Sequence, residues 1–563
     1  MKINFYGASE IVTGSSYLLE IPGYKLLIDC GMFQGSKVVK ELNYGIFPYD
    51  PKTIDAVILT HAHVDHSGLI PKLIKNGYTG PIYTTPETIE FCKVMFPDSG
   101  HIQEMEVERK NRKLNRANGQ LLKPIYTAEE GLNATKSFIP IKYEESVLLS
   151  PNISATFIDA GHILGSAHVV LNVTEGEVKT KVVFSGDIGT ANQPYLEEPS
   201  RINEADLVIM ETTYGNRTHE DKSNREDILA EVINTAHAKG GNIIIPAFAV
   251  ERTQDILFFL DILQTKKRIP IMPIYVDSPL AVAATRIFAK NTQNFDDESL
   301  DLIKSGNNPL SMKNLHFSET TADSIGLNNL TQASIIISAS GMADAGRIKH
   351  HLKHNLWRSN ATIIFVGYQA EGSLGRRLIE GAKEVTIHGE KVAVNAEIVN
   401  LLGFSAHADQ NELLSWIKRA GKLAKNIILV HGEIESIHSF SQTVEQNFGK
   451  TPIIPVLGES IEFKKDEVIR VKPQVPWLQE IGDKLALAQT GGVKKMGEVR
   501  TVIGGKVKDS KKITFAEVNE SYVELRENLR SIIDTARSEK DYSHLMEIFK
   551  HINKILDESF YKK

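Results

Sequence analysis

The alternation of hydrophobic and polar positions near the amino terminus predicts short strands joined by turns. Two apolar runs at 17–21 and 24–29 are separated by Pro22 and Gly23, which is typical of a β-hairpin. A further apolar run at 54–60 predicts a buried strand, and the pattern at 67–74 predicts a helix. The polar stretch between them therefore lies on a loop at the carboxyl end of a strand, where α/β folds place many ligand sites.

Three later strands end in polar side chains in the same way. Apolar runs at 153–158, 181–185 and 206–210 are followed by His162, Asp187 and Glu211 respectively. One such arrangement is ordinary, but three in succession, matched to the first loop, predict a single shared site. Asp29, which closes the second strand of the hairpin, is compatible either with a turn residue or with a part of this site.

The pattern changes after residue 210, where helix-like segments alternate with buried-type strands. The predicted strands lie at 242–246, 274–276, 333–338 and 362–366. This alternation predicts an α/β domain with a largely parallel sheet. Because site-like motifs return near residue 385, with His407 and later with His431 after an apolar run at 426–430, this domain is predicted to be inserted into the first one.

The domain organisation that follows has four parts. The first domain is predicted at 1–210 and resumes at 386–465, and the inserted domain occupies 211–385. Residues 466–563 are predicted to form a C-terminal extension with helical periodicity at 522–532 and 544–556. No residue pattern in this extension indicates a catalytic or binding site.

Composition and charge narrow the class of protein. The 563 residues are 42% hydrophobic and 24% charged, as in an ordinary globular protein. The formal net charge of −6 argues against a surface coated with basic groups for nucleic acid, although bound cations or a local basic groove can attract phosphates. Two cysteines cannot build a disulfide framework, so we expect a reducing, cytoplasmic location. No apolar run has transmembrane length and no signal-peptide pattern is present, so we expect no membrane association.

The loop at 61–66 reads His-Ala-His-Val-Asp-His and carries the strongest chemical signal. A loop of hydrogen-bonded histidines is the simple alternative, but metal ions give such groups a stronger reason to gather. The donors that can converge here exceed the needs of one tetrahedral zinc: His61, His63, Asp65, His66, His162, Asp187 and His431. We expect His61, His63 and His162 to hold one ion. We expect Asp65, His66 and His431 to hold a second, with Asp187 bridging the two. This ligand set favours zinc, and manganese and iron remain compatible with it.

The segment His-Ala-His-Val-Asp-His-Ser-Gly resembles the signature of the metallo-β-lactamase superfamily, with Asp29, His162 and Asp187 at its other motifs. Three further motifs resemble those of the β-CASP nucleases. They are Glu211 in Glu-Thr-Thr-Tyr-Gly-Asn, His407 in Phe-Ser-Ala-His-Ala-Asp and His431 in Val-His-Gly-Glu. The resemblance covers about residues 1–465. It is closest to stand-alone prokaryotic ribonucleases similar to the endonuclease subunit of the pre-mRNA cleavage and polyadenylation complex.

This resemblance implies an αββα metallo-β-lactamase sandwich with an inserted α/β β-CASP domain. It also implies a zinc-dependent ribonuclease with a two-metal mechanism, in which a hydroxide held by the ions attacks phosphorus. His407 would protonate the leaving oxygen, Glu211 would hold its imidazole, and Asp29 would orient a ligand or the attacking water. Histidine at the third motif, His431, favours the RNA-cleaving branch of the family over the DNA-repair branch. A homodimer is implied by the resemblance alone, and both internal cleavage and cleavage from the 5′ end remain open.

Residues that bind the substrate are predicted less directly. Ser340 and Gly341 follow a predicted strand and are compatible either with backbone N–H groups presented to a phosphate or with a turn. Arg252, Arg347 and Arg376 stand in segments that resemble family motifs, and each is expected to bind phosphate or to form a salt bridge. The groove is expected between the two domains.

Three other functions are alternatives. A small-molecule hydrolase of the same superfamily would need neither the inserted domain nor the pair of Glu211 and His407. A DNA nuclease of the same family differs from a ribonuclease in its substrate. A catalytically inactive RNA-binding scaffold should have lost metal ligands, whereas this sequence retains all of them.

Overall fold

The computed structural model describes residues 1–482, except for 117–120, 220–223, 331, 368, 370–371 and 465–466. The helices predicted at 522–532 and 544–556 lie outside the described residues. The strands are β1 Lys2–Phe5, β2 Tyr17–Ile21, β3 Tyr24–Ile28, β4 Ala56–Ile58, β5 Ile82–Thr84, β6 Phe138–Pro140, β7 Ser146–Ser150, β8 Ile153–Asp159, β9 Ala167–Glu175, β10 Val178–Phe184, β11 Leu207–Glu211, β12 Ile243–Pro246, β13 Ile274–Val276, β14 Leu315–Phe317, β15 Ile335–Ser338, β16 Thr362–Phe365, β17 Glu384–Ile387, β18 Glu390–Ala393, β19 Glu397–Asn400, β20 Asn426–Val430, β21 Ser460–Phe463 and β22 Val468–Val471. The α-helices are α1 Lys37–Glu41, α2 Val64–Ser67, α3 Ile70–Lys75, α4 Pro86–Arg116, α5 Ala128–Ala134, α6 Arg225–Ala238, α7 Arg252–Thr265, α8 Pro279–Lys290, α9 Asp297–Lys304, α10 Thr321–Gly326, α11 Ile348–Asn355, α12 Leu374–Ile379, α13 Gln410–Leu423 and α14 Ile434–Phe448.

Two mixed sheets form the first domain. One has eight strands in the order β22-β21-β1-β2-β3-β4-β5-β6, and the other has six in the order β20-β11-β10-β9-β8-β7. The hairpin predicted from the amino-terminal pattern is confirmed, because β2 and β3 pair antiparallel with Ile21 opposite Tyr24.

The two sheets face each other across a hydrophobic core, since alternate side chains of a strand point to opposite faces. Val182 and Phe184 of β10 pack in this core together with Ile3 and Ile28 of the other sheet. Val183, which lies between them in the sequence, packs in a different core on the outer face. Burial of both faces explains why these strands are continuous apolar runs in the sequence.

Helices cover the outer face of each sheet. Leu73 of α3 and Phe91 of α4 pack on the eight-stranded sheet, while Trp416 of α13 and Phe440 of α14 pack on the six-stranded sheet. The αββα arrangement expected for this domain is therefore confirmed.

The inserted domain lies between two strands that pair directly. Strands β11 and β20 are parallel neighbours, with Leu207 opposite Asn426 and Glu211 opposite Val430. Between them the chain forms a parallel sheet in the order β14-β13-β15-β12-β16-β19. Helices α6, α7 and α8 cover one face of this sheet, and α11 and α12 cover the other. The predicted parallel sheet is thus confirmed.

The strands β19 and β22 lie beyond the domain limits that the pattern indicated. Strand β19 belongs to the inserted sheet although it follows residue 385, and β22 extends the eight-stranded sheet beyond residue 465. Both strands have four residues and little burial, so hydrophobic periodicity could not identify them.

Cys30 and Cys92 are buried free thiols. In the described part of the chain, no helix combines the length and the apolar character needed to cross a membrane.

Candidate metal centre

The segments that follow β4, β8, β10 and β20 bring together the seven side chains predicted as metal ligands. His61 and His63 lie on a loop as predicted, whereas Asp65 and His66 lie in the short helix α2. Three groups have ligand atoms that all lie within 4.8 Å of one another: His61, His63, His162 and Asp187; Asp65, His66 and His431; and Asp187, Glu211 and His431. The first two groups correspond to the two predicted ligand sets, and Asp187 belongs to the first and the third.

Asp187 lies between the two predicted sets. Its Oδ2 atom is 3.5 Å from His61 Nε2 and 3.4 Å from His162 Nε2. Its Oδ1 atom is 3.2 Å from His66 Nε2 and 3.7 Å from His431 Nδ1. Although this carboxylate is buried, Oδ1 has no hydrogen-bond partner among the described residues. Each carboxylate oxygen therefore faces one ligand set, and an unpartnered buried oxygen is well suited to a cation.

Asp29 lies behind the ligands rather than among them. Its Oδ2 atom is 2.7 Å from His66 Nδ1, and Thr60 donates hydrogen bonds to the same carboxylate through its backbone N–H and its hydroxyl. When Nδ1 of His66 carries the proton for this contact, its Nε2 keeps a free lone pair for a metal. Asp29 adopts a φ of 59°, a left-handed conformation that aspartate tolerates better than most residues.

Burial and neighbouring charges set the protonation of the centre. Burial lowers the pKa of His61 to about 3 and that of His63 to about 4. Burial alone would raise the pKa of Asp187, but the adjacent imidazoles of His431 and His66 outweigh it and hold this pKa well below its usual range. The neutral rings of His61 and His63 and the ionised carboxylate of Asp187 are donors of the kind that divalent metals require, and a metal would displace the proton from the Nε2 atom of His66. The residues present therefore fit metal binding.

His407 lies beside this centre on the loop before α13. Its Nδ1 atom is 3.2 Å from both carboxylate oxygens of Glu211, and its ring centroid is 4.5 Å from that of His162. The side chain of His407 is 20% exposed, whereas that of Glu211 is fully buried. Burial alone would lower the pKa of His407, but Glu211 and Asp187 outweigh it and raise the pKa to about 9. A partly exposed, protonated imidazole held by a buried carboxylate is suited to donate a proton.

Two further contacts hold the loop that carries His407, and the sequence had not indicated either. His219 Nε2 donates a hydrogen bond of 2.8 Å to the backbone carbonyl of His407. Asp409 caps α13 in a reciprocal arrangement with Glu412, whose carboxylate also accepts a hydrogen bond from the Thr190 hydroxyl. The backbone on the carboxyl side of His407 is thus held in place.

The three arginines predicted to bind the substrate are held in separate ion pairs. Arg252 Nη1 lies 2.7 Å from Asp255 and is largely buried. Arg347 Nη1 lies 2.7 Å from Asp277 and also donates to the backbone carbonyl of Ser318. The third, Arg376, pairs one turn along its own helix with Glu380. Their role in phosphate binding stays a prediction.

Ser340 and Gly341 lie on the loop after β15. The Ser340 hydroxyl exchanges hydrogen bonds with the backbone of Ala345, so it shapes this loop. A side chain at Gly341 would meet the ring of Phe248 at 2.8 Å, and the Phe248 ring centroid is 6.4 Å from that of His63. The loop therefore approaches the metal centre through Phe248. Because Gly341 has no Cβ, its backbone can lie close to the Phe248 ring.

Glu251 is a residue of the site that the sequence did not single out. It is buried, it immediately precedes α7 with a φ of 71°, and its Oε2 atom accepts a hydrogen bond of 3.2 Å from the backbone N–H of Leu164. Since Leu164 lies two residues after His162, Glu251 connects the inserted domain to a predicted ligand loop. Burial, and then the charge of Asp255, raise the pKa of Glu251 well above its usual value. In the sequence, Glu251 is recognisable only as an acidic residue beside Arg252. This pattern could not predict its contact with Leu164, which lies 87 positions away.

Three family models match the chain. They are described as the Metallo-beta-lactamase superfamily over residues 11–229, the Beta-Casp domain over 253–378 and the Zn-dependent metallo-hydrolase RNA specificity domain over 385–455. The third match includes both His407 and His431.

Several curated proteins are similar over most of the chain. Ribonuclease TTHA0252 of Thermus thermophilus is 37% identical over 437 residues, which cover 78% of this chain and 94% of that protein. Transcription termination factor FttA of Methanosarcina mazei is 31% identical over 79% of this chain and 69% of its own length. FttA of Pyrococcus abyssi is 32% identical over 82% of this chain and 72% of its own length. A crystal structure of a protein of unknown function from Enterococcus faecalis V583 aligns with a TM-score of 0.47 and 13% identity over 84% of this chain and 99% of that one.

Proposed function

Because the chain belongs to the β-CASP family of the metallo-β-lactamase superfamily, we propose that it is a zinc-dependent ribonuclease. The observation that carries this proposal is the contact between Glu211 and His407 beside the seven metal-binding donors. The name of the Thermus relative and the description of the family model over 385–455 support RNA as the substrate.

Two zinc ions fit the proposed ligand sets. His61, His63 and His162 would hold one ion, and Asp65, His66 and His431 the other, with one oxygen of Asp187 toward each. The ions would supply Lewis acidity and a water that ionises near neutral pH. Asp29 would keep His66 in the tautomer whose Nε2 faces the site.

The protein's own groups would complete the reaction at the leaving oxygen. Glu211 accepts a hydrogen bond from the Nδ1–H of His407, which leaves the Nε2–H as the group that would hand a proton to the departing oxygen. Since Glu211 is fully buried, it holds the imidazole without itself meeting the substrate. Phosphodiester cleavage needs this proton transfer because an unprotonated sugar oxygen is a poor leaving group.

The same residues bear on the two alternative enzyme functions, a small-molecule hydrolase and a DNA nuclease. A small-molecule hydrolase would have no use for the Glu211–His407 pair or for the inserted domain that approaches the metal centre through Phe248. A DNA nuclease would use all of these groups, so only a direct comparison of substrates separates it from a ribonuclease.

The deciding experiment is a cleavage assay on one RNA labelled separately at each end, with a DNA of the same sequence alongside. Zinc-loaded wild-type protein should cut the RNA, and the pattern of labelled products separates internal cuts from trimming at the 5′ end. His407→Ala, tested at equal zinc content, is the matched control and should be inactive. Preferential cleavage of the DNA would show that the protein is a deoxyribonuclease instead. If the wild-type protein cleaved neither the RNA nor the DNA, the nuclease function would be excluded.

A further inference from the structure

Arg217 is an exposed arginine on the segment 214–219, which follows β11 and which we call the post-β11 segment. Its guanidinium carbon lies 4.2 Å from the centroid of the Tyr214 ring, so the charged group covers an aromatic face. The Tyr214 ring is buried, and its centroid is 6.1 Å from that of His407. A single ring therefore links the guanidinium to the proposed general acid.

Hydrogen bonds join the post-β11 segment to the segment that carries His407. The backbone N–H of Gln410 donates to the carbonyl of Arg217 at 3.0 Å. Two residues further along, His219 donates from its backbone N–H to Asp409 at 2.9 Å and from Nε2 to the carbonyl of His407 at 2.8 Å. The backbone of Arg217 is therefore held in a fixed position relative to the general acid.

The positive charge of Arg217 is not compensated by a carboxylate. Within the ranges of the chain that the structure describes, no acidic side chain forms an ion pair with this arginine. The three arginines that the sequence predicted as substrate contacts, in contrast, each pair with an aspartate or a glutamate: Arg252, Arg347 and Arg376. A guanidinium that covers a ring uses its face for that contact, and the N–H donors in its plane remain suited to an anion.

His407 contacts both the metal centre and the ring that Arg217 covers. Its ring centroid is 4.5 Å from that of the predicted ligand His162 and 6.1 Å from that of Tyr214. Because the proposed proton transfer takes place at His407, the departing strand of the substrate begins beside this ring. The next phosphate along that strand is then the anion that can meet an arginine one ring away.

We propose that Arg217 binds the phosphate next to the cleaved bond on the departing strand of the RNA. The proposal rests on the ribonuclease function and adds a substrate-binding residue at the same site. Arginine suits this position because its planar guanidinium can bond two phosphate oxygens at once. The contact with Tyr214 also restricts the side chain before the RNA binds, which lowers the entropy that binding costs.

A structural role confined to covering the Tyr214 ring is the simple alternative. Such a role would stabilise the post-β11 segment whatever the charge of the substrate. Phosphate binding instead makes the effect of Arg217 depend on one negative charge in the RNA. The two roles are therefore separated by changing the residue and the phosphate together.

The test removes the charge on each side of the proposed contact. Arg217→Gln removes the guanidinium, and a methylphosphonate linkage removes the charge of one phosphate in an RNA whose cleavage site has been mapped. This linkage lies one nucleotide beyond the cleaved bond, on the strand whose product ends in a free hydroxyl. We expect each change alone to lower kcat/KM about tenfold, as for a lost charge-assisted hydrogen bond. Both changes together should lower it no further.

Arg358→Gln is the matched control. The guanidinium of Arg358 also lies over an aromatic ring, 5.3 Å from the centroid of Trp357. It precedes β16, whereas Gly341 follows the parallel strand β15, so the two lie at opposite edges of the inserted sheet. We expect Arg358→Gln to match the wild type on both RNAs. Zinc content and urea denaturation check that each variant is folded.

A conservative variant tests the geometry of the contact. Arg217→Lys keeps the charge but loses the planar pair of donors, so its loss of kcat/KM should be smaller than that of Arg217→Gln. It should still respond to the methylphosphonate. If Arg217→Gln holds less zinc than the wild type, the same comparison with Arg217→Lys decides.

Two results would overturn the proposal. One is wild-type kcat/KM for Arg217→Gln on the unmodified RNA. The other is a combined loss of about 100-fold, because losses that multiply show that residue and phosphate act independently. That second result would leave Arg217 with a structural role.

Failure of the ribonuclease function is distinguishable from failure of this contact. If the wild-type protein cleaves no RNA, the function falls, and equilibrium binding of the unmodified RNA then tests Arg217. Arg217→Gln is still expected to bind about tenfold more weakly, with a log–log salt slope smaller by about 0.7 and with Arg358→Gln unchanged. Equal binding by all three proteins would exclude Arg217 as a phosphate contact.

Discussion

The imidazole of His407, on the loop before α13, faces the carboxylate of Glu211 at the end of β11, with Nδ1 at 3.2 Å from both oxygens. The histidine reaches the surface and the glutamate does not. Neither residue belongs to the two predicted ligand sets, although Glu211 can approach Asp187 and His431. Proton transfer and metal binding can therefore be separated by substitution.

His407→Ala should retain metal and lose cleavage. Its side chain lies outside the proposed ligand sets, so zinc content measured by atomic emission should equal that of the wild type. We expect kcat to fall by about 100- to 10,000-fold, the range of a lost general acid. A parallel loss of zinc would make His407 a ligand instead.

Glu211→Gln should reduce cleavage less than His407→Ala does. Ile188 and Thr213 donate their backbone N–H groups to different oxygens of Glu211, so the amide keeps an acceptor for only one of them, and it no longer stabilises a charged imidazole. Because the glutamate acts through His407, the double variant should be no slower than His407→Ala alone. Additive losses in single-turnover rates would show that Glu211 has a separate function.

Asp187→Ala should lower the metal content of both proposed sites. Each of its oxygens faces one ligand set, so one substitution removes a ligand from each. Metal-to-protein ratios after dialysis should fall below those of the wild type and of His407→Ala prepared in the same way. Unchanged occupancy would exclude a bridging position for Asp187.

The pair of Glu251 and Asp255 should make stability depend on pH. Burial raises the pKa of Asp255 to about 6, and burial together with Asp255 raises that of Glu251 further. An acid whose pKa is raised by folding stabilises the folded state below its unfolded pKa of about 4.3, and this contribution is lost as pH rises through the folded-state value. The free energy of unfolding should therefore decline as the pH rises from about 4 through the Asp255 value of about 6, and Glu251 should extend the decline to higher pH.

Two substitutions at Glu251 separate its charge from its hydrogen bond. Glu251→Gln resembles the protonated acid and retains an acceptor for Leu164, so its stability relative to the wild type should increase with pH. Glu251→Ala loses the acceptor and should be destabilised by about 1–3 kcal/mol across the range. Urea denaturation at several pH values measures both, and parallel curves for wild type and Glu251→Gln would contradict a protonated Glu251.

The metal ligands were accessible to sequence reasoning because four of them lie within six residues and the others follow buried strands. Both signals are local. The contact of Asp277 with Arg347, across 70 positions, has no local signal, so the sequence could not tell whether this arginine faces solvent or a buried carboxylate. The same limit applies to Glu251 and Leu164.

Helix α4 is longer than the helix that the sequence predicts, because it continues through a proline. Acidic residues early and basic residues late in the segment 104–113 predict a helix there, because this polarity suits the helix dipole. The structure instead has a helix from Pro86 to Arg116 with Pro97 inside it. Proline usually interrupts helices because it lacks an N–H and clashes with the preceding turn. Packing of Phe91 and Phe96 in the core outweighs that cost here.

The direct pairing of β11 with β20 has a consequence for how the chain folds. During synthesis, Glu211 leaves the ribosome more than two hundred residues before its neighbour Val430. Closing so long a segment is entropically costly and slow unless the segment first becomes compact. The inserted domain should therefore fold first, and ligand His431 should reach its partners among the last groups of the centre. A nascent chain stopped before residue 426 would hold His61, His63 and His162 but could not yet complete the second set.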